Sequence, residues 1–200
     1  MIKLYTRPRT RGSRPRWILE EIGAPYEMVT VESGAAKTNP AYLKIHPLGA
    51  VPALQDGDLT LFESSAICLH LAEKFPEKKL IPPPATIERA HCYQWIAFVL
   101  TTVEQQAVTY FLHTVRYEES RRNPAAAAEA KEAFQGSLDI LTRAVEGKDF
   151  IVGNNLTVAD VVVGSVVNWA MALKMSEGNP TLNAYISKLK ERPAFRRSIA

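Results

Sequence analysis

The chain has 200 residues, 46% hydrophobic and 22% charged, with a formal net charge of +3. That length suits one compact domain or two small ones with a well-filled core. No apolar run approaches the roughly 18 residues needed to span a bilayer, which argues against a helical membrane protein. In chain order, Ile2–Thr6 reads as a short buried strand and Pro8–Gly12 as a loop with two strong breakers. Pro15 suits an early helical position, where its missing N–H costs nothing. Arg16–Ile22 continues as a helix, with Trp17, Ile18 and Ile22 on neighbouring faces, and Gly23 stops it. Tyr26–Val31 is a second strand, and Pro40–Ile45 (PAYLKI) is one helical turn.

Ala53–Leu54 and Leu59–Phe62 are the arms of a hairpin that turns through Asp56-Gly57-Asp58. The amphipathic segment Ser65–Phe75 follows as a helix. This β-α-β-α-β-β-α order is that of a thioredoxin-like unit, an α/β N-terminal domain expected over residues 1–76. Residues 77–85, within FPEKKLIPPPA, form a linker, and beyond it no strand signal survives. Residues 86–200 are expected to be an all-α helical bundle. Ile87–Tyr117 and Ala125–Val145 are its long helices, the latter rich in Ala, Glu and Leu. Ala159–Leu173 is nearly all apolar and belongs at the centre of the bundle. Leu182–Lys190 is the last amphipathic helix; Arg192-Pro193 breaks it, and Phe195 and Ile199 are expected to pack back.

The two cysteines, Cys68 and Cys92, sit in apolar helical patterns and read as small core hydrophobes. The N-terminus lacks the apolar region of a secretory signal, so the expected compartment is the cytoplasm, where a disulfide is disfavoured. Arg7, Arg9, Arg11, Arg14 and Arg16 cluster near the N-terminus, without interleaved aromatics or a nucleic-acid fold motif. They read as a solvated basic rim that concentrates a small anionic ligand. Neither a nucleic acid nor a membrane is an expected partner, and no metal is expected.

The richest stretch is His46–Glu73, HPLGAVPALQDGDLTLFESSAICLHLAE. It places Val51-Pro52 before the hairpin and Glu63-Ser64-Ser65 directly before a helix. Backbone beside a proline can pair with an extended peptide. Hydroxyls and amides at a helix start can take a carboxylate, because the first helical N–H groups lack partners and the dipole favours negative charge. A nearby glutamate can take an ammonium group. The string resembles the glutathione-binding half of soluble glutathione transferases, where NPxGxVPxLxDGxxxLxESxAI recurs. In Gly153–Asp160 (GNNLTVAD), Thr157 and Asp160 are placed as N-cap and N3 of a capping box; this resembles a folding motif in the helical half of the same family. The resemblance runs from Met1 to about Ile199, although Glu104–Glu146 matches only in composition. It points to a bacterial-type, theta- or beta-like member.

The resemblance implies that glutathione is a co-substrate and that no cofactor is needed. Glu63 would accept the γ-glutamyl ammonium and Ser64 would bind its carboxylate. Val51 would pair with the cysteinyl backbone, which requires Pro52 to be cis. Many relatives carry lysine or glutamine after the Gly of NPxG; here Ala50 stands there, leaving Lys37, with Arg11, as the cations of the glutathione set. For the thiol, Thr10 falls at the serine position of the theta-like classes. Ser13 is the second candidate and Tyr5 the third, while Thr6 occupies the classical tyrosine position. With no cysteine in this loop, the thiol exchange of omega and glutaredoxin-like relatives is not expected. Tyr110, Phe111, His113 and Trp169 are candidates to line the pocket of a small hydrophobic electrophile between the domains; core packing is the alternative role for each. Gln106 is a candidate to reach a partner subunit's ligand, and a homodimer is expected. The implied activity is conjugation of the glutathione thiolate to an electrophile, in detoxification. The alternatives are a weakly or non-catalytic binder of glutathione or an apolar ligand, and a glutathione-dependent isomerase, dehalogenase or peroxidase.

Overall fold

The computed structural model describes every residue except Ser33, and Ala35 only by its backbone. The chain divides into two units, Met1–Pro82 with Lys190–Ala200, and Pro83–Leu189. In the first, strands β1 (Ile2–Thr6), β2 (Tyr26–Thr30), β3 (Ala53–Asp56) and β4 (Leu59–Phe62) form one mixed sheet in the order β2-β1-β3-β4. β1 pairs parallel with β2, Leu4 opposite Met28, and antiparallel with β3, Leu4 opposite Leu54. β3 and β4 are the antiparallel hairpin arms, Asp56 opposite Leu59. β1 buries Ile2, Leu4 and Thr6 while Lys3 and Tyr5 are half-buried, because alternate residues point to opposite faces of the sheet.

Helices α1 (Ser13–Ile22) and α4 (Ser64–Lys74) pack together, burying Trp17, Ile18, Leu19, Ile67, Cys68 and Leu71. Gly23 ends α1 in the left-handed region at φ 74, its N–H donating to the Leu19 carbonyl. Residues of the short helices α2 (Ala35–Thr38) and α3 (Pro40–Leu43) pack on the Tyr5 side of β1. There Tyr5, Ile45 and Val51 pack on Val31, Ala36 and Tyr42. Asn39 caps α3, its side chain accepting from the Ala41 and Tyr42 amides at 3.0 and 3.3 Å. At the hairpin turn, Asp56 accepts from Lys74 at 2.5 Å and pairs with His70 at 3.0 Å. Lys74 first, and His70 with it, hold the Asp56 carboxyl below its ordinary pKa, tying the turn to α4.

The second unit contains no strand among its described residues. Its first long segment is α5 (Ile87–Phe98) and α6 (Glu104–Phe111), each followed by a wide π turn, at Val99–Val103 and Leu112–Arg116. The sequence pattern predicts one uninterrupted helix here. The threonine hydroxyls explain part of the difference. Thr101 and Thr114 donate back to the Ala97 and Tyr110 carbonyls at 2.9 and 2.7 Å, a competition that loosens a helical ladder. Helix α7 (Pro124–Val145) starts on Asn123, whose side chain accepts from the Ala126 amide. Helix α8 (Val158–Ala172) is buried along most of its length. The Asp160 carboxylate reaches back to the Thr157 amide at 2.8 Å, as a capping box requires. Helix α9 (Pro180–Glu191) follows, and its Tyr185 donates to Asp160 at 2.7 Å.

The C-terminal segment belongs to the first unit. Pro193 occupies the first position of a short helix, α10 (Pro193–Ile199), rather than only breaking the one before it. Phe195 meets Trp17 edge-on at 4.9 Å, and Arg192 grips Glu21 with two bonds of 2.6 and 2.8 Å. Ile199 stays 57% exposed, because the buried face of this helix is Ala194, Phe195 and Ser198.

Candidate functional site

The motif's residues gather at one end of the sheet, where the start of α1, the start of α4 and the loop before β3 present backbone groups. The Val51–Pro52 bond is cis. Val51 is half-buried and lies just outside the β3 ladder, whose pairing with β1 begins at Ala53. Among the described residues nothing takes its N–H or its carbonyl, so both remain available to an extended chain. Tyr42 fixes the preceding residue by donating to the Ala50 carbonyl at 2.6 Å, and burial pushes the Tyr42 phenol up to about 12.

Glu63 and Ser64 stand at the start of α4. Glu63 is exposed and holds φ 69, a backbone that side chains rarely adopt, and its carbonyl accepts the Ile67 amide. Ser64 is buried, and its oxygen accepts from the Arg14 guanidinium at 3.2 Å. A hydroxyl carries one proton and two lone pairs. With a cation on its oxygen, Ser64 keeps its O–H to donate toward a carboxylate. Arg14 is the residue that the sequence reading misassigns. It is 3% exposed, so it is not part of a solvated rim. The signal was its position on the Trp17–Ile18 helix, four residues before the buried Ile18. Arg11 and Lys37 are both exposed.

The thiol-donor candidates lie between β1 and α1. Thr10 donates to the Arg7 carbonyl at 2.6 Å and accepts from the Gly12 amide at 3.3 Å, closing the loop on itself. Ser13 is the first residue of α1, and among the described residues its hydroxyl has no partner. Tyr5 donates to the Gln55 side chain on β3. Thr6 is buried against Gly12: a Cβ on that glycine would lie 1.7 Å from the Thr6 hydroxyl oxygen, so only glycine lets α1 begin so close to β1. Cys68 is buried and burial pushes its thiol up to about 12, while burial also raises Cys92. Neither is a nucleophile at neutral pH.

The electrophile-pocket candidates all belong to the helical unit and are half-buried. Phe111 and Trp169 meet edge-on at 5.7 Å. His113 stands 5.2 Å from Tyr117, and its Nδ1 accepts from the Asn123 amide at 3.1 Å, which fixes the start of α7. Tyr110 precedes Phe111 on α6. Gln106 accepts from the Ser137 hydroxyl at 3.0 Å. A cavity of about 640 Å³ in the same unit is lined by Glu88, His91, Lys148, Asp149, Val152 and Asn154 among others, and includes none of the motif's residues. Among the described residues no cluster suited to a metal ion is found, and no helix is long and apolar enough to cross a membrane.

A thioredoxin-like sheet carrying an open cis-proline edge, joined to a helical domain, defines a class. The model of the glutathione S-transferase N-terminal domain matches residues 1–73, and that of the C-terminal domain matches residues 99–193. The chain belongs to the glutathione S-transferase family of enzymes. It is 27% identical to glutathione S-transferase GstA of Escherichia coli O157:H7, covering 100% of this chain and 98% of that one. It is 28% identical to a probable elongation factor 1-gamma 2 of Arabidopsis thaliana over 88% of this chain, but spans only 44% of that protein. Among solved structures, a glutathione transferase of Methylococcus capsulatus superposes with a TM-score of 0.87 at 27% identity, over 100% and 97% of the two chains. A theta-class enzyme of Xanthomonas axonopodis, solved with glutathione bound, gives 0.85 at 29% identity, over 99% and 96%.

Proposed function

We propose that the protein binds reduced glutathione along the Val51–Pro52 edge and conjugates its thiolate to a small hydrophobic electrophile. The observation that carries this reading is the open backbone of Val51 beside a cis proline, together with Glu63 and Ser64 at the start of α4. Val51 pairs with the cysteinyl residue, Ser64 donates to the γ-glutamyl carboxylate, and Glu63 takes the ammonium. Lys37 and Arg11 supply positive charge for the glycyl end in place of the missing cation at Ala50. A cysteine thiol with a pKa near 8.5 is only a few per cent ionised at pH 7, so a donated hydrogen bond and the α1 N-terminus raise the reactive fraction.

Thr10 is the assigned donor; its hydroxyl turns from the Arg7 carbonyl to the sulfur when the tripeptide enters. Ser13 is the alternative. The electrophile meets Tyr110, His113 and Trp169. The chain acts in a reducing cytoplasm, in detoxification, as a homodimer, with glutathione as co-substrate and no bound cofactor.

Turnover of an aryl halide with reduced glutathione tests the reaction. Thr10→Ala is expected to lower kcat at least tenfold, with Ser13→Ala changing it less than threefold. The reverse pattern moves the assignment to Ser13. Binding of glutathione without turnover favours a second reading, a binding module, which the Thr10 hydroxyl, already engaged with the Arg7 carbonyl, supports.

A further inference from the structure

The loop His46–Ala50 leads into Val51 without regular structure, so something else must fix it. Two anchors are backbone contacts: Tyr42 donating to the Ala50 carbonyl, and Gly49 at φ 58, so close to α2 that a Cβ would lie 2.7 Å from the Ala36 carbonyl oxygen. The third is the His46 side chain, 4% exposed. Its main chain donates to the Tyr42 carbonyl at 2.9 Å and accepts from the Gly49 amide at 2.8 Å. Its ring nitrogen Nδ1 accepts from the Leu48 amide at 3.3 Å. A side-chain acceptor on the amide two residues on is the geometry of an Asx turn, made here by an imidazole. That bond needs the neutral ring with its proton on Nε2. The same ring lies against Phe62, centroids 5.1 Å apart and planes at 38°. Phe62 is the residue before Glu63. One buried ring therefore touches both the segment that offers Val51 and the strand end that offers Glu63.

We propose that His46 is the positioning residue of the glutathione site, its neutral imidazole holding the Val51 loop and the Glu63 corner in mutual register for a γ-glutamyl peptide. This rests on the glutathione reading above. Burial lowers the pKa of His46 from its ordinary 6.5, and the Glu63 carboxylate pulls it the other way. Glu63 is the charged side chain whose field reaches the ring; Phe62, which the ring meets, and Leu48, whose main-chain amide it accepts, carry no charge, and Tyr42, whose carbonyl accepts the His46 amide, is a neutral phenol at these pH values. Protonation turns Nδ1 from acceptor into donor, facing the Leu48 N–H, and the loop loses its brace. The tripeptide's carboxylates do not titrate between about pH 5 and pH 7.5, and S-methylation removes its thiol, so an acid loss of affinity for the S-methyl peptide reports on the protein.

The test is calorimetric titration with reduced glutathione at pH 7.5, and with S-methylglutathione at pH 7.5 and at about pH 5.5, on wild type, His46→Asn and His46→Phe, with thermal melts to score folding. Asparagine keeps an oxygen for the Leu48 amide and does not titrate; phenylalanine keeps the ring against Phe62 and has no acceptor. The wild type is expected to bind more weakly at the lower pH, the loss approaching about five- to tenfold, the size of one hydrogen bond, as the ring becomes fully protonated. His46→Asn should bind within about threefold of wild type at pH 7.5 and lose no affinity in acid. His46→Phe should be weaker by about five- to tenfold at pH 7.5. Nitrogen-15 NMR of the free protein should show His46 as the Nε2–H tautomer. A folded His46→Phe with wild-type affinity, an unchanged acid loss in His46→Asn, or an Nδ1–H tautomer overturns the proposal while leaving the glutathione site standing. If His46→Phe does not fold, the His46→Asn pH profile and the tautomer decide. No binding by wild type at pH 7.5 overturns the glutathione reading itself, and this proposal with it.

Discussion

Asp160 is fully buried, and every contact to it is a donor. Its Oδ1 accepts from the Ile151 amide and the Tyr185 hydroxyl, both at 2.7 Å. Its Oδ2 accepts from the Thr157 amide at 2.8 Å and the Thr157 hydroxyl at 2.9 Å. Burial raises the pKa of the carboxyl, and the four donors oppose that rise. Asp160→Asn replaces one oxygen by an NH2 group. Whichever way the amide turns, that group faces one main-chain N–H, which it cannot satisfy, and one hydroxyl, which must reverse to accept from it. The lost bond to a charged acceptor is worth about 1.5–3 kcal/mol, and the stranded main-chain donor makes that a floor, so a loss of at least about 2–3 kcal/mol is predicted. That is a large part of a total stability of about 5–15 kcal/mol. Tyr185→Phe removes one donor and should cost about 1.5–3 kcal/mol. Equilibrium urea unfolding, followed by tryptophan fluorescence and far-UV dichroism, measures both. An Asp160→Asn protein within about 1 kcal/mol of wild type, or one less affected than Tyr185→Phe, would refute the account of Asp160 as the fastener of α8.

Other outcomes are expected from the first unit. Ser64→Ala should weaken glutathione about tenfold or more by calorimetry, because a donor to a carboxylate is lost. It should also lower the melting temperature, because the buried Arg14 guanidinium loses an acceptor; an unchanged affinity would remove Ser64 from the site. In the native protein, Cys68 and Cys92 should react with an aromatic disulfide over hours at pH 8 and within seconds in denaturant. Rapid native reaction would contradict their burial. The stability contributed by neutral His46 should be full above its unfolded pKa of about 6.5 and lost as the pH falls through the lower folded value. Urea midpoints for wild type should therefore drop in mild acid more than those for His46→Asn.

Much of the first unit was legible because its signals are local. Alternation marks β1, Asp-Gly marks the hairpin, and Gly23 marks the end of α1. Val51-Pro52, Glu63 and Ser64 are likewise neighbours in sequence, so their motif survives without coordinates. Arg14 was misread because its partner Ser64 is fifty residues away, and nothing in the Arg-rich string distinguishes a buried guanidinium from exposed ones. The same limit hid His46: its bond to Leu48 is local, but the Phe62 ring that makes it a bridge comes from another strand. The π turns after α5 and α6 were missed because apolar spacing cannot separate π from α geometry over a single turn. The short helix α10 was read as packed tail, since a proline that ends one helix can equally begin the next.

The most direct measurement is a crystal structure grown with reduced glutathione, paired with calorimetry on the same preparation. The account predicts saturable heat with one tripeptide per chain. It also predicts that the cysteinyl backbone pairs with Val51, the γ-glutamyl carboxylate rests on Ser64 and the ammonium faces Glu63. Density at any other place, or no heat at millimolar tripeptide, would contradict it.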